Sequence, residues 1–149
     1  MSIVSVRAAL ETKLNGMTPA IATVWENIPY TPIAGTPYQQ AWLLPATPDN
    51  PTLGDNFYRE IGIFQITLMY PLQVGTATAA DRAELIRTQF KRGTSIAFDD
   101  ILNFDGVGNL DAIVIVRISH TPEISAGRVD GDRWHLPCKI QWFAETILK

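Results

Sequence analysis

The chain has 149 residues, 46% of them hydrophobic and 18% charged, with a formal net charge of −3. That composition belongs to a folded protein with a sizeable core and excludes a disordered tail. The acidic balance gives no drive toward nucleic acid, and the one basic cluster, Lys91-Arg92, ends an expected helix whose dipole accounts for it.

Met1 to Arg7 lacks the basic and apolar regions of a signal peptide. No apolar run approaches the ~18 residues of a membrane span, so a cytoplasmic product and no membrane contact are expected. Ser2 to Asn15 reads as a helix with Ile3, Val6, Leu10 and Leu14 on one stripe, closed by Gly16. Ile21 to Trp25 is a short strand rich in β-branched and aromatic residues. Asn27 to Tyr38 holds three prolines and a glycine and reads as turns. Gln39 to Leu44 is a strand ending at Pro45.

Pro45 to Glu60 is a long polar loop, with prolines, Gly54 and a run of Asp and Asn; loops of this length in a compact fold are uncommon and usually functional or flexible. Ile61 to Tyr70 alternates as a strand, with Phe64, Ile66, Leu68 and Tyr70 on one face. It should pair with Gln39 to Leu44, since sequential strands usually neighbour. Thr78 is expected to start a second helix, Thr78 and Asp81 resembling a capping box. Its stripe is Ala79, Ala83, Ile86 and Phe90, with Leu85 beside it and Gly93 as the stop.

Thr94 to Phe98 is a short strand. The continuous apolar run in Ala112 to Ser119 suggests a strand buried on both faces. Thr121 to Asp132 reads as a turn region. Arg133 to Ala144 alternates strictly, with Trp134, Leu136, Cys138, Ile140 and Trp142 on one face and His135, Lys139 and Gln141 on the other. Pro137 suggests an edge or bulged strand. Pro71 to Ala77 is a linker with Gly75, and with no repeat, low-complexity tract or second domain, residues 1–149 read as a single domain. The element order predicts an α+β fold: a mostly antiparallel mixed β-sheet with two α-helices packed on one face.

No phosphate-binding glycine loop, His-Glu-x-x-His or Gly-x-Ser-x-Gly is present. His120 and His135 lie near adjacent strands and could meet in space, but mere spatial possibility is not a ligand pattern. Asp99 and Asp100 are successive residues; on a strand they would face opposite ways, which suits a turn better than paired acid–base work. Asp105-Gly106-x-Gly108-Asn109 lacks the further oxygens of a calcium loop. Cys138 falls on an apolar phase and reads as a buried hydrophobe. Phe57-Tyr58, an aromatic pair in a polar loop, either anchors an interface or folds back onto the sheet edge.

One series of short motifs looks familiar. Asn27-x-Pro29-Tyr30-Thr31-Pro32-x-x-Gly35-Thr36-Pro37-Tyr38 leads into Leu43-Leu44-Pro45-Ala46, then Asn50-Pro51-Thr52-Leu53-Gly54 and Gly62-Ile63-Phe64-Gln65. Gly127-Arg128-x-Asp130-Gly131-x-x-Trp134-x-x-Pro137 closes the series. In order and spacing it resembles the tail-terminator-like family of long-tailed bacteriophages, over nearly the whole chain.

The resemblance implies a structural protein that caps the tail tube as a hexameric homo-oligomer. Such a ring stops tube growth and offers the head a surface to join. It implies no catalysis and no cofactor, with the tail tube protein and head–tail connector proteins as partners and no need for nucleic acid. Assembly in the host cytoplasm and residence in the virion tail follow. Another neck or tail-completion protein fits the same residues, and a small ligand-binding or enzymatic module is the reading from a different class. A closing ring needs two different patches per subunit. The candidates are Asp49, Asn50, Phe57, Tyr58, Arg59 and Glu60 on the long loop, and Arg128, Asp130, Asp132 and Arg133 on the last turn. Their mixed charges suit registry between subunits.

Overall fold

The computed structural model describes residues 3–54, 57–99 and 112–148. In chain order its elements are α1 (Ile3–Asn15), β1 (Ala22–Val24), β2 (Tyr38–Pro45), β3 (Glu60–Pro71), α2 (Ala77–Gln89), β4 (Ser95–Asp99), β5 (Ala112–Ile118), β6 (Glu123–Ile124), β7 (Arg128–Asp130) and β8 (Arg133–Leu148). The strands form one sheet in the order β1-β2-β3-β8-β5-β4, with β6 and β7 also paired to β8. β1 runs parallel to β2, and every other pairing is antiparallel. This is the expected α+β architecture, and β2 and β3 pair as expected.

Alternation along the strands decides which face is buried. Leu43, Phe64 and Ile140 stand in one row across β2, β3 and β8, and Ala41, Ile66 and Cys138 in the next. All are buried. A slip of one residue in any of these strands would turn its apolar set to water, so the register is strongly specified. Val6, Leu10 and Leu14 of α1 and Ala79, Ala83 and Ile86 of α2 close over this face and join the same core. α1 lies against β4 and β5, and α2 against β3 and β8. Phe90, just past α2, meets Phe64 with ring centroids 6.1 Å apart.

Several sequence expectations are corrected. Ile3 and Leu85 are exposed, because each lies at the margin of its helix's apolar stripe. α2 starts at Ala77, and Thr76 precedes it without a side-chain capping bond, so Thr78 and Asp81 form no capping box. The helix ends at Gln89; Gly93, with φ of 88°, instead turns the chain into β4. β5 buries Val114, Val116 and Ile118 on the helix side, whereas Ile113 and Ile115 are half-buried, because no layer covers the opposite face fully. Trp25 lies one residue beyond β1. Within the expected turn region, β6 and β7 add short ladders to β8.

β8 is not an edge strand. It runs on to Leu148, with β3 on one side and β7, β6 and β5 in succession on the other. Pro137 is tolerated because its carbonyl, which accepts from the Ser125 N–H at 2.9 Å, faces the interval between β6 and β7. In an antiparallel strand a residue's N–H points the same way as its C=O, so the missing donor falls where the ladder is already interrupted.

Candidate functional site

The long loop between β2 and β3 is pinched at its neck. Asp49 and Arg59 exchange backbone N–H···O bonds of 2.9 Å each, which closes the neck. Arg59 then ties the neck to the last strand: its Nε donates to Glu145 Oε1 at 2.5 Å, and Arg117 Nη1 donates to Glu145 Oε2 at 2.8 Å. The Arg59 guanidinium also lies 5.8 Å from the Phe57 ring centroid and 5.9 Å from that of Phe143. Hydrogen bonding from Arg59 is the main reason the Glu145 carboxyl is held below its ordinary range. Among the sequence candidates here, Asp49 and Asn50 are exposed, and Phe57, Tyr58, Arg59 and Glu60 are half-buried. Burial raises the Glu60 carboxyl.

Beside this neck an open groove of about 550 Å³ runs along the face of the sheet opposite the helices. Ile61, Ile63, Gln141 and Phe143 form its floor, with Asp49, Arg59, Ser119 and His120 at its margin. Ser119 Oγ lies 2.9 Å from His120 Nδ1 and 3.3 Å from the Gln141 carbonyl. This is a hydroxyl closing a strand end, between successive residues at an exposed position. His135 sits six residues before Gln141 on β8, about 20 Å along the strand, so the two histidines stand well apart. Among the described residues no three His, Cys, Asp or Glu side chains converge as a metal site. Asp100 and the Asp105 to Asn109 segment lie outside the described residues, as does the side chain of Asp99.

The second candidate segment is a tight hairpin. Asp130 pairs with Arg133 across Gly131-Asp132, and Gly131 has φ of 62° at the first turn position, the demand of a II′ turn. Arg128, Asp130 and Asp132 are exposed. His135 Nδ1 lies 3.7 Å from Asp130 Oδ2. Arg133 is only 4% exposed. It donates to the Thr36 and Ile33 carbonyls at 2.5 and 2.7 Å and lies 5.1 Å from the Tyr38 ring centroid. It thus binds the proline-rich 27–38 stretch down over the end of the sheet where Tyr38 and Met69 are buried.

Residues outside the sequence candidates complete this end. Pro71, Leu72, Gln73, Gly75, Thr76, Val129 and Trp134 line an apolar pocket of about 390 Å³. Trp134 folds flat over Gly127, where any Cβ would stand 2.2 Å from its Cζ2. The alternation of β8 placed Trp134 on the core side, but nothing local in the sequence foretold that the β3–α2 connection would meet β7 there. At the opposite edge of the sheet, the Glu26 carboxylate accepts the Leu43 N–H at 2.5 Å and an Arg7 bond at 3.2 Å. That occupies the margin of β2 beyond β1 and blunts it against pairing with another chain.

The two candidate segments therefore flank opposite ends of β3, and the described residues assemble no reactive constellation between them. No helix among the described residues is long and apolar enough to cross a membrane. Six solved chains match this one. One matches at TM-score 0.65 and 24% identity, over 100% of this chain and 98% of its own, and shows a shared fold. Among curated proteins none matches. The family described as phage tail terminator protein matches residues 5–142. The chain belongs to the phage tail terminator family and is a phage tail assembly protein.

Proposed function

We propose that the chain acts as a non-catalytic, cofactor-free structural part that caps the tail tube as a closed, hexameric ring of identical subunits. In this reading it halts tube growth and offers the surface that the head–tail connector proteins join. It assembles in the host cytoplasm and remains in the virion tail, with the tube protein beneath it and no nucleic acid or membrane contact required. Residues 1–149 act as one domain. The long loop, with Asp49, Asn50, Phe57, Tyr58, Arg59 and Glu60, and the hairpin, with Arg128, Asp130 and Asp132, form the contacts. Arg133 acts indirectly, by holding the neighbouring 27–38 stretch in place.

The observation that carries the ring is the placement of two unlike segments, a pinched loop and a tight hairpin, at opposite ends of one strand, β3. A closed ring is built from a head-to-tail contact between two different patches, and a subunit needs both at a fixed separation. Sedimentation or light scattering of the protein, alone and with tail tubes, tests this. A discrete oligomer of about six subunit masses, alone or on tubes, is expected. A monomer that stays free of tubes at high concentration would retire the ring.

A further inference from the structure

We propose that neighbouring subunits are joined by a knob and a socket carried by this same chain: Leu53 of one copy seats in the apolar pocket formed by Pro71, Leu72, Val129 and Trp134 of the next. The inference rests on the ring reading and names the contact that would build it.

The knob is unusual for where it stands. Leu53 has 110% relative exposure, more than an extended reference chain gives it. It sits beyond the Asp49–Arg59 pinch, between Pro51 and Gly54, in a segment whose described residues 49–54 are all exposed. A single exposed leucine means little by itself. The socket supplies its counterpart, because there the apolar exposure is clustered and concave. Leu72 is 36% and Val129 61% exposed, and both line the 390 Å³ pocket together with Pro71 and Trp134. Trp134 is fixed there by its contact with Gly127. A preformed apolar pocket with a rigid aromatic wall has the form that accepts an anchor side chain from a partner.

Three observations assign the occupant to a second copy. Knob and socket flank the two ends of β3, whose 12 residues span about 37 Å, so they cannot meet within a subunit. They are different patches, as a head-to-tail contact requires. Finally, both segments carry exposed charges of both signs, Asp49 and the 42% exposed Arg59 at the neck and Arg128, Asp130 and Asp132 on the hairpin, which would set the register of the contact.

The test combines two variants with a cross-link. Leu53→Asp should raise the concentration for half-assembly more than about 30-fold with circular dichroism unchanged, whereas Leu53→Met should assemble as wild type. Leu53→Cys with Val129→Cys, oxidised by copper–phenanthroline on assembled protein, should give a ladder of covalent oligomers. Either cysteine alone should give none, since Cys138 is buried. Rings that persist in Leu53→Asp, assembled rings without a ladder, or dimers from Leu53→Cys alone would each overturn the knob and socket while leaving the ring standing. Absence of any wild-type ring on tail tubes would instead retire the ring reading beneath it.

Discussion

Gly127 lies under the indole of Trp134 so closely that a Cβ would stand 2.2 Å from Cζ2 and 2.6 Å from Cε2. The contact joins the segment before β7 to the start of β8 and fixes the wall of the apolar pocket. Gly127→Ala should displace Trp134 and destabilise the fold by about 1–3 kcal/mol, the usual cost of overpacking. A urea midpoint equal to that of the wild type would contradict this.

Glu145 joins the neck of the long loop to β8 through Arg59 and to β5 through Arg117. Hydrogen bonding from Arg59, then its charge and the bond from Arg117, lower the carboxyl from its ordinary 4.5, against burial. A lowered folded-state pKa gives stability that is complete above the unfolded value and lost as pH falls through the folded one. Glu145→Gln should therefore cost about 1–3 kcal/mol near neutrality, toward the lower figure because Arg59 is 42% exposed. The gap between variant and wild type should close on acidification below pH 4.5. Thermal melts across pH measure it, and a gap that widens in acid would refute the assignment.

Leu10 of α1 and Phe90 after α2 are both fully buried in the common core. Replacing either by Ala leaves a cavity and should cost about 2–5 kcal/mol. A change below about 0.5 kcal/mol in chemical denaturation would place these residues at the surface instead.

Cys138 stands in the middle of β8 with no exposed surface, and burial pushes its thiol up to about 12. A chromogenic disulfide reagent at pH 8 should leave it unmodified in the native protein and react once the chain is unfolded. Rapid reaction of the folded form would mean that the β8 core opens readily.

Much of this architecture was legible in periodicity. The alternation of Phe64 to Tyr70 and of Trp134 to Trp142 marked the two central strands, and the stripes through Leu10 and Phe90 marked the helix faces. Those signals are strong because each residue shares one apolar environment over many positions. β6 and β7 are not legible in the sequence because they are short and partly or wholly exposed, so no apolar alternation marks them. Pro137 pointed to an edge because sequence reveals a missing donor but not the gap between two partner strands that makes it harmless. Arg133 looked like a solvated turn charge, and only the tertiary fold brings the Ile33 and Thr36 carbonyls to it. Asp49, Arg59 and Arg128 stood out by charge, whereas Leu53 and Val129 did not, because an apolar residue in a turn-rich segment has no pattern until its surroundings are known.

The proposed role requires this chain to meet copies of itself through its long loop and its hairpin at the end of the tail tube. Electron microscopy of tail tubes incubated with the purified protein addresses that most directly. A ring of identical subunits at one tube end, with residues 49–60 of each against residues 128–133 of its neighbour, is the expected image. Bare tube ends, or the protein bound there as isolated subunits, would contradict it.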